Sequence, residues 1–244
     1  MNAKLELPKL YISMPHECSY LPGQIASTLF VDPKVVISNS HYSLLAQMGF
    51  RRSGSMVYRP HCEGCRECLA VRVPVATFKS SRSQRRVWTR NQDLVMTKVA
   101  PGYREEHFVL YQKYQRVRHT NSSMDSGEPE QYKSFLFGNS AETEVHEFRL
   151  GAENGGTQEL LAVAIVDKLE DGLSAVYTFF NPSESRRAPG VFSVLYEIEL
   201  ARRLGLPYVY LGYYIADSRK MNYKINYQPL QAFDGKVWET ITHR

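Results

Sequence analysis

Alternation is clearest at residues 69–75, LAVRVPV, where Leu69, Val71, Val73 and Val75 fall on one face and Arg72 on the other. A period of two predicts a strand. Residues 50–58 read as a second strand ahead of it. Residues 40–48, SHYSLLAQM, open on a serine and run up to Gly49, which predicts a short helix stopped by a C′ glycine. Ser81-Arg-Ser-Gln84 fits a capping box and opens another helix. Over 104–118, Phe108, Tyr111, Tyr114 and Val117 recur at helical spacing, which predicts an amphipathic helix. Residues 160–167 and 173–180 are apolar runs around KLEDG, a hairpin signal. Residues 149–154 add a third strand turning through Asn154-Gly155-Gly156. SRRAPG then leads into a helix carrying Val191, Val194, Leu195 and Ile198 and ending near Gly205, and 207–215 is a last, tyrosine-rich strand. Polar NSSMDSGEPEQ, 121–131, reads as a loop, either a lid or a surface excursion.

The N-terminal part thus mixes helix and strand, and a division near residue 100 gives segments 1–100 and 101–244. Strands, a helix and a further strand in that order match the core of an N-acetyltransferase-like (GNAT) domain, so the class is α+β, with a cysteine-containing α+β domain in front. No internal repeat or low-complexity tract interrupts this order.

Composition narrows the partners. Hydrophobic residues at 43% and charged residues at 23% are ordinary for a soluble globular protein. The longest clean apolar run, 160–166, is far too short to span a bilayer, so no membrane partner is expected. The opening MNAKLELPKL lacks the pattern of a secretory signal, which points to the cytoplasm. Net charge is only +5, but Lys79, Arg82, Arg85, Arg86 and Arg90 follow one another with no acid between. That run suits a phosphate backbone, or is a solvated basic face.

Cys62, Cys65 and Cys68 stand at equal spacing, with Cys18 far upstream. Four thiols in this pattern can hold zinc or an iron–sulfur cluster, or can be small residues that shape a turn. In SRRAPGVF, Arg186 and Arg187 precede a helix start that can meet an anion. Pro189 removes one donor there, and Phe192 stands where a tight acyl-CoA cradle needs a small residue. Tyrosines 208, 210, 213, 214, 223 and 227, mixed with Arg219, Lys220 and Lys224, make an aromatic and basic stretch of the kind that grips single-stranded RNA ends.

GLSAVYTFFNP, VFSVLYEIELAR and YVYLGYYI..SRKMNYKINYQPLQ resemble the C-terminal domain of arginyl-tRNA–protein transferases. GFRRSGSMVYRPHCEGCRECLAVRVPV followed by SRSQRRV resembles their N-terminal domain, so the likeness covers roughly residues 8–240. The short chain and the cysteine pattern resemble the bacterial branch, which transfers leucine to N-terminal Asp or Glu. The resemblance implies an aminoacyltransferase of the N-end rule, which takes leucine from leucyl-tRNA and tags proteins for degradation. Arginyl transfer, and acyl-CoA-dependent N-acetylation, are the alternatives. The chemistry needs no cofactor, so zinc or an iron–sulfur cluster at Cys18, Cys62, Cys65 and Cys68 would be structural. Asp217, Lys220 and Tyr223 are the candidate catalytic residues. Arg51, Arg52, Arg72, Arg186, Arg187 and Lys224 are candidates for binding substrate, since an acidic N-terminus calls for a guanidinium. Arg82, Arg85, Arg86 and Arg90 would track the tRNA backbone.

Overall fold

A computed structural model describes residues 8–118, 128–138, 141–151 and 158–242. The polar stretch 121–127 and the turn at 154–156 lie outside these. The chain begins with four short strands, β1 (Leu10–Ile12), β2 (His16–Glu17), β3 (Ile25–Ala26) and β4 (Thr28–Val31), followed by helix α1 (Asn39–Gln47). The Ser38 side chain accepts from the His41 N–H, as an N-cap should. The expected strand over 50–58 is a hairpin, β5 (Arg51–Ser53) and β6 (Met56–Pro60), because Gly54 takes a positive φ of 58° between them. Strands β1, β4, β6 and β5 form one small sheet in that order.

Strand β7 (Leu69–Pro74) and helix α2 (Arg82–Arg90) follow the predicted bounds closely, and both bonds of the Ser81–Gln84 capping box are made. Then come β8 (Leu94–Val99), α3 (Glu105–Arg118), α4 (Pro129–Leu136), β9 (Glu142–Leu150), β10 (Leu160–Lys168), β11 (Gly172–Phe180), α5 (Pro189–Arg203), β12 (Tyr208–Tyr214), β13 (Leu230–Phe233) and β14 (Trp238–Ile241). Eight of these strands make one sheet in the order β14-β13-β7-β12-β11-β10-β9-β8. Strands on both sides of residue 100 therefore share a sheet, and β7 sits near its middle, antiparallel to both β12 and β13.

The sheet is covered on two faces. On one, α5 and α2 bury Val71, Val73, Leu173, Val209 and Leu211 together with Phe192 and Ile198. On the other, α3 and α4 cover β9–β11 through Phe108, Tyr111, Tyr132 and Leu136, while α1 and the small sheet pack Tyr42, Leu45 and Val57 toward Tyr210. The apolar stripe of α3 stops early. Val117 is 60% exposed, because positions three apart drift round the helix, so that Val117 stands about half a turn from Phe108 and Gln115 is buried in its stead. Arg72 does face away from Val71 and Val73, and its guanidinium lies 3.5 Å from the Tyr208 ring centre and 4.3 Å from that of Trp238.

Candidate active site at a splayed strand pair

β11 and β12 are joined by the crossover helix α5 and pair in parallel, but only from Gly172–Ser174 to Tyr208–Tyr210. β11 continues to Phe180 and β12 to Tyr214, so the two strands part beyond that point. Two glycines allow this. A Cβ on Gly172 would sit 2.5 Å from the Tyr208 carbonyl oxygen, so only glycine lets the strands meet so closely at the base of the fork. Gly212, at φ +76°, marks a register shift between Tyr210 and Gly212 that turns β12 aside. The sheet is thereby opened at its centre, between α5 on one face and the small N-terminal sheet on the other.

Arg51 borders the opening from the N-terminal side. Its Nη1 lies 1.9 Å from the point a Cβ on Gly212 would occupy, so the missing side chain is what admits the guanidinium. The group sits 5.6 Å from the Tyr213 ring centre, and its Nε is buried without a hydrogen-bond partner. Burial alone would lower its pKa, but the surrounding phenols of Tyr58, Tyr213, Tyr20 and Tyr42 outweigh that and raise it. Among the described residues no carboxylate is paired with it.

The other predicted cations differ. Arg52 is fully buried, with Nε and Nη2 each 2.6 Å from an Asp167 carboxylate oxygen and Nη1 2.9 Å from the Leu136 carbonyl. Arg72 donates to Gln231 at 2.9 Å and to the Tyr210 hydroxyl at 3.3 Å. Arg187 holds Asp93 through two bonds of 2.9 and 2.8 Å and Glu184 at 3.1 Å, which keeps the Asp93 carboxyl below its usual range. Arg186 is exposed, and its carbonyl accepts from Arg90. Arg82, Arg85, Arg86 and Arg90 are all exposed along α2, so this face and Arg186 form one basic surface next to the start of α5. That start has Ala188 at φ 51°, ψ 56° and no side-chain cap. Phe192 is buried against Trp88 and Phe148 beneath the helix, away from its mouth.

Past β12 the chain turns through exposed Asp217 and Lys220 into a short 3-10 segment, 222–226. Lys224 is buried and donates to the Tyr213 carbonyl at 2.6 Å and to the Met221 sulfur at 3.0 Å, which docks this segment against the end of β12. Burial, then the nearby Arg51 charge, bring its pKa down to about 7. Tyr223 is 44% exposed, yet its hydroxyl is pushed up to about 12, chiefly by burial, and it feels Arg51, Glu197 and Tyr114. Its ring packs against Tyr227, with centroids 6.5 Å apart, and beside the Lys224 ammonium. Of the three expected catalytic residues, Asp217 and Lys220 are exposed and Tyr223 is partly so.

Sequence reasoning passed over Glu197. It sits on the core-facing side of α5 with Val194, Ile198 and Ala201, only 1% exposed. Its Oε1 accepts from Ser193 at 3.3 Å, while Oε2 has no partner. The available signal was an acid set on an apolar stripe.

Burial, and then Cys18, Cys62 and Cys65, push the Cys68 thiol up to about 12. Cys68 is also felt by Tyr20, Tyr213 and Lys224, so the clip abuts the wall that carries Arg51. As placed, no three His, Cys, Asp or Glu side chains among the described residues stand close enough to hold a metal ion. The donor set suits a tetrahedral four-thiolate centre, but the separations do not close it.

Comparison with known proteins identifies the family. The family signature "Arginine-tRNA-protein transferase, C terminus" matches residues 106–234, and the corresponding N-terminus signature matches 16–86. The chain is similar to the aspartate/glutamate leucyltransferase of Hahella chejuensis, 46% identical over 95% of this chain and 96% of that one. It is similar at 47% to those of Nitrosococcus oceani, over 95% of both chains, and of Teredinibacter turnerae, over 98% and 96%. Among solved structures, the crystal structure of FemX is similar with a TM-score of 0.46 at 8% identity over 78% of this chain and 77% of that one. With two signatures and whole-length relatives in agreement, the chain belongs to the arginine-tRNA-protein transferase family.

Proposed function

We propose that this protein moves leucine from leucyl-tRNA onto the N-terminal amine of cytoplasmic proteins that begin with Asp or Glu, marking them for degradation. The observation that carries this reading is Arg51, a guanidinium at the edge of the strand fork with no acidic partner among the described residues. A protein that leaves such a cation unpaired gives up stability, and an incoming carboxylate side chain supplies the missing partner. Arg52, Arg72 and Arg187 have their donors engaged within the fold and hold it together instead. Arg82, Arg85, Arg86, Arg90 and Arg186 form the surface that receives the tRNA backbone.

The reaction needs position more than covalent help. The donor is an activated ester, and the acceptor amine has a pKa near ~8, so free amine is present at neutral pH. Holding the amine nitrogen against the ester carbon supplies most of the rate. The fork brings the two together, with the RNA end entering from the α5 side and the peptide from the Arg51 side. Lys224 keeps the 222–226 segment in place and Tyr223 lines the meeting point. Lys220, exposed on the approach, contacts the RNA end, and Asp217 beside it is the candidate base. Cys18, Cys62, Cys65 and Cys68 would hold zinc or an iron–sulfur cluster only if their side chains close from the separations they have here. That group would brace the wall behind Tyr20 and Tyr213 and take no part in the transfer.

Purified protein is expected to transfer radiolabelled leucine, from leucyl-tRNA, to peptides beginning with Asp or Glu and not to the same peptides beginning with Ala. Because the RNA contact is mainly with phosphates, KM for the tRNA should rise steeply with salt. Transfer from arginyl-tRNA in place of leucyl-tRNA would move the protein to the sister activity, and acetylation from acetyl-CoA alone would remove the reading. Metal analysis of protein prepared without oxygen is expected to give close to one zinc or one cluster per chain; a chain free of both overturns the thiol centre and leaves the transfer reading intact.

A further inference from the structure

We propose that helix α2 couples the bound tRNA to the strand fork, with Gln84 and Asn91 as the positioning residues that carry the coupling. The inference rests on the reading of the exposed α2 arginines as the surface that receives tRNA. Nothing in the family signatures or the relatives' names assigns either amide a role.

α2 presents its arginines outward, and Gln84, Val87, Trp88 and Asn91 recur at the i, i+3, i+4, i+7 spacing of a single inward stripe. The middle of that stripe is apolar. Val87 and Trp88 pack on the core, with the Trp88 ring centre 5.5 Å from that of Phe192 on α5. Its two ends are amides, Gln84 at 4% and Asn91 at 1% exposure, where an apolar side chain is the usual occupant. Each amide reaches a backbone carbonyl distant in the chain. Gln84 Nε2 donates to the Asn226 carbonyl at 3.0 Å, and Asn91 Nδ2 to the Arg187 carbonyl at 2.9 Å. Asn91 Oδ1 has no partner, so it is the donor that this amide contributes. Arg90 adds a bond to the Arg186 carbonyl, and Arg187 returns one to the Arg90 carbonyl at 3.2 Å.

Those carbonyls belong to the two segments that leave the parted strands. Asn226 ends the 3-10 segment that follows β12 and carries Tyr223 and Lys224. Arg187 ends the turn Pro182–Arg187 that follows β11 and leads into α5. One helix therefore spans the exits of both arms of the fork, with its phosphate-holding face turned outward. Gln84 is shared between two duties. Its Oε1 accepts from the Ser81 N–H at 2.8 Å, closing the capping box, while its Nε2 holds Asn226. The amide that fixes the start of α2 thus also fixes the segment beyond β12. Phosphates that immobilise α2 restrain both segments with it, and the reaction depends on how closely amine and ester are held.

Q84E separates the two duties. A glutamate at this position still closes a capping box with Ser81, but a carboxylate has no proton to give the Asn226 carbonyl. Q84E is expected to lower kcat about 10-fold. KM for leucyl-tRNA and its dependence on salt should hold, because the arginines keep their places. Asn91→Ala removes the tie at the other end and should give the same split. A second readout needs no turnover. Hydrogen exchange is followed with tRNA trimmed of its unpaired 3′ end, which can cover α2 and cannot enter the fork. In the wild type it should slow exchange of the 222–227 amides about threefold or more, and in Q84E it should leave them as in the free protein. A residue kept only for packing would lower the melting temperature and leave kcat and this protection alone. A kcat within about twofold of wild type removes the substituted amide from the coupling. Raised KM for leucyl-tRNA at unchanged kcat would place the amides in the RNA surface and overturn the proposal, as would wild-type 222–227 amides that ignore the trimmed tRNA. Failure of the wild type to transfer leucine overturns the functional reading instead, and the exchange experiment still reads the coupling in that event.

Discussion

Arg51→Ala lowers kcat/KM for acceptor peptides beginning with Asp or Glu by about 10- to 100-fold, and most of the preference over an alanine-led peptide goes with it. The magnitude follows from one charge-assisted contact to a carboxylate, roughly 1.5–3 kcal/mol. The loss should appear with no loss of stability. In the free protein the guanidinium is half-buried and its Nε is unpartnered, so removing it relieves a cost of the folded state, and the melting temperature should hold or rise. A residue kept for packing would show the reverse, lower stability and unaltered peptide choice. Arg51→Lys should recover little, because an ammonium lacks the planar fork that meets a carboxylate with two bonds. Gly212→Ala gives a second approach to the same site from the other strand. Its Cβ would stand 1.9 Å from Nη1 at a backbone φ of +76°, so the guanidinium must leave its place, and peptide selectivity should drop although Arg51 is still present. The measurement is steady-state transfer with paired peptides, beside thermal melts. Unchanged selectivity in both variants would remove Arg51 from the substrate site.

Arg51 and Arg52 also mark how far the sequence can be read. Both suit a carboxylate, and adjacent residues of a strand point to opposite faces. Which face meets the fork and which meets Asp167 is decided 115 positions away, by a pairing that no local pattern encodes. The same limit applies to β7. Its alternation names the buried face correctly, but not its neighbours, β12 and β13. Local signals fared better. The Ser81–Gln84 box, the hairpin around 169–171 and the helix opened by SRRAPG all stand where residue chemistry put them, because a cap or a turn is satisfied within a few residues. Tyr223 was legible as a ring beyond the strand end. Glu197 was not singled out, because an acid on an apolar stripe looks like a pattern error until its full enclosure is seen. The thiols fall between these cases. Their spacing announces a cluster, and Cys18 is within electrostatic reach of Cys68, but no metal-holding group forms among the described residues, because that depends on side-chain geometry.

Asp167→Ala should be the most destabilising of the substitutions considered, and its effect should reach the substrate site. The Arg52–Asp167 pair has both side chains fully enclosed. Its remaining donors and acceptors are taken by the Gly54 and Leu136 carbonyls and by Thr143, which itself donates to Asp167 at 2.8 Å. Four elements, β5, β9, β10 and the end of α4, are tied at this point. Removing the carboxylate leaves a buried guanidinium uncompensated, at a cost of about 3–5 kcal/mol. In a chain of this length that corresponds to a fall of roughly 10 °C in Tm. Transfer should fall as well, because β5 is the strand that presents Arg51, and a loosened β5 no longer holds the guanidinium against Gly212. The double variant R52M/D167L separates the two effects. Two apolar side chains of similar volume replace the ion pair without an orphaned charge, an exchange that is often neutral or favourable, so the melting temperature should return to near wild type. If β5 only needs to be held in place, activity returns with it. If transfer stays low while stability recovers, Arg52 itself acts in the site, and the division of labour between the two neighbouring arginines is wrong.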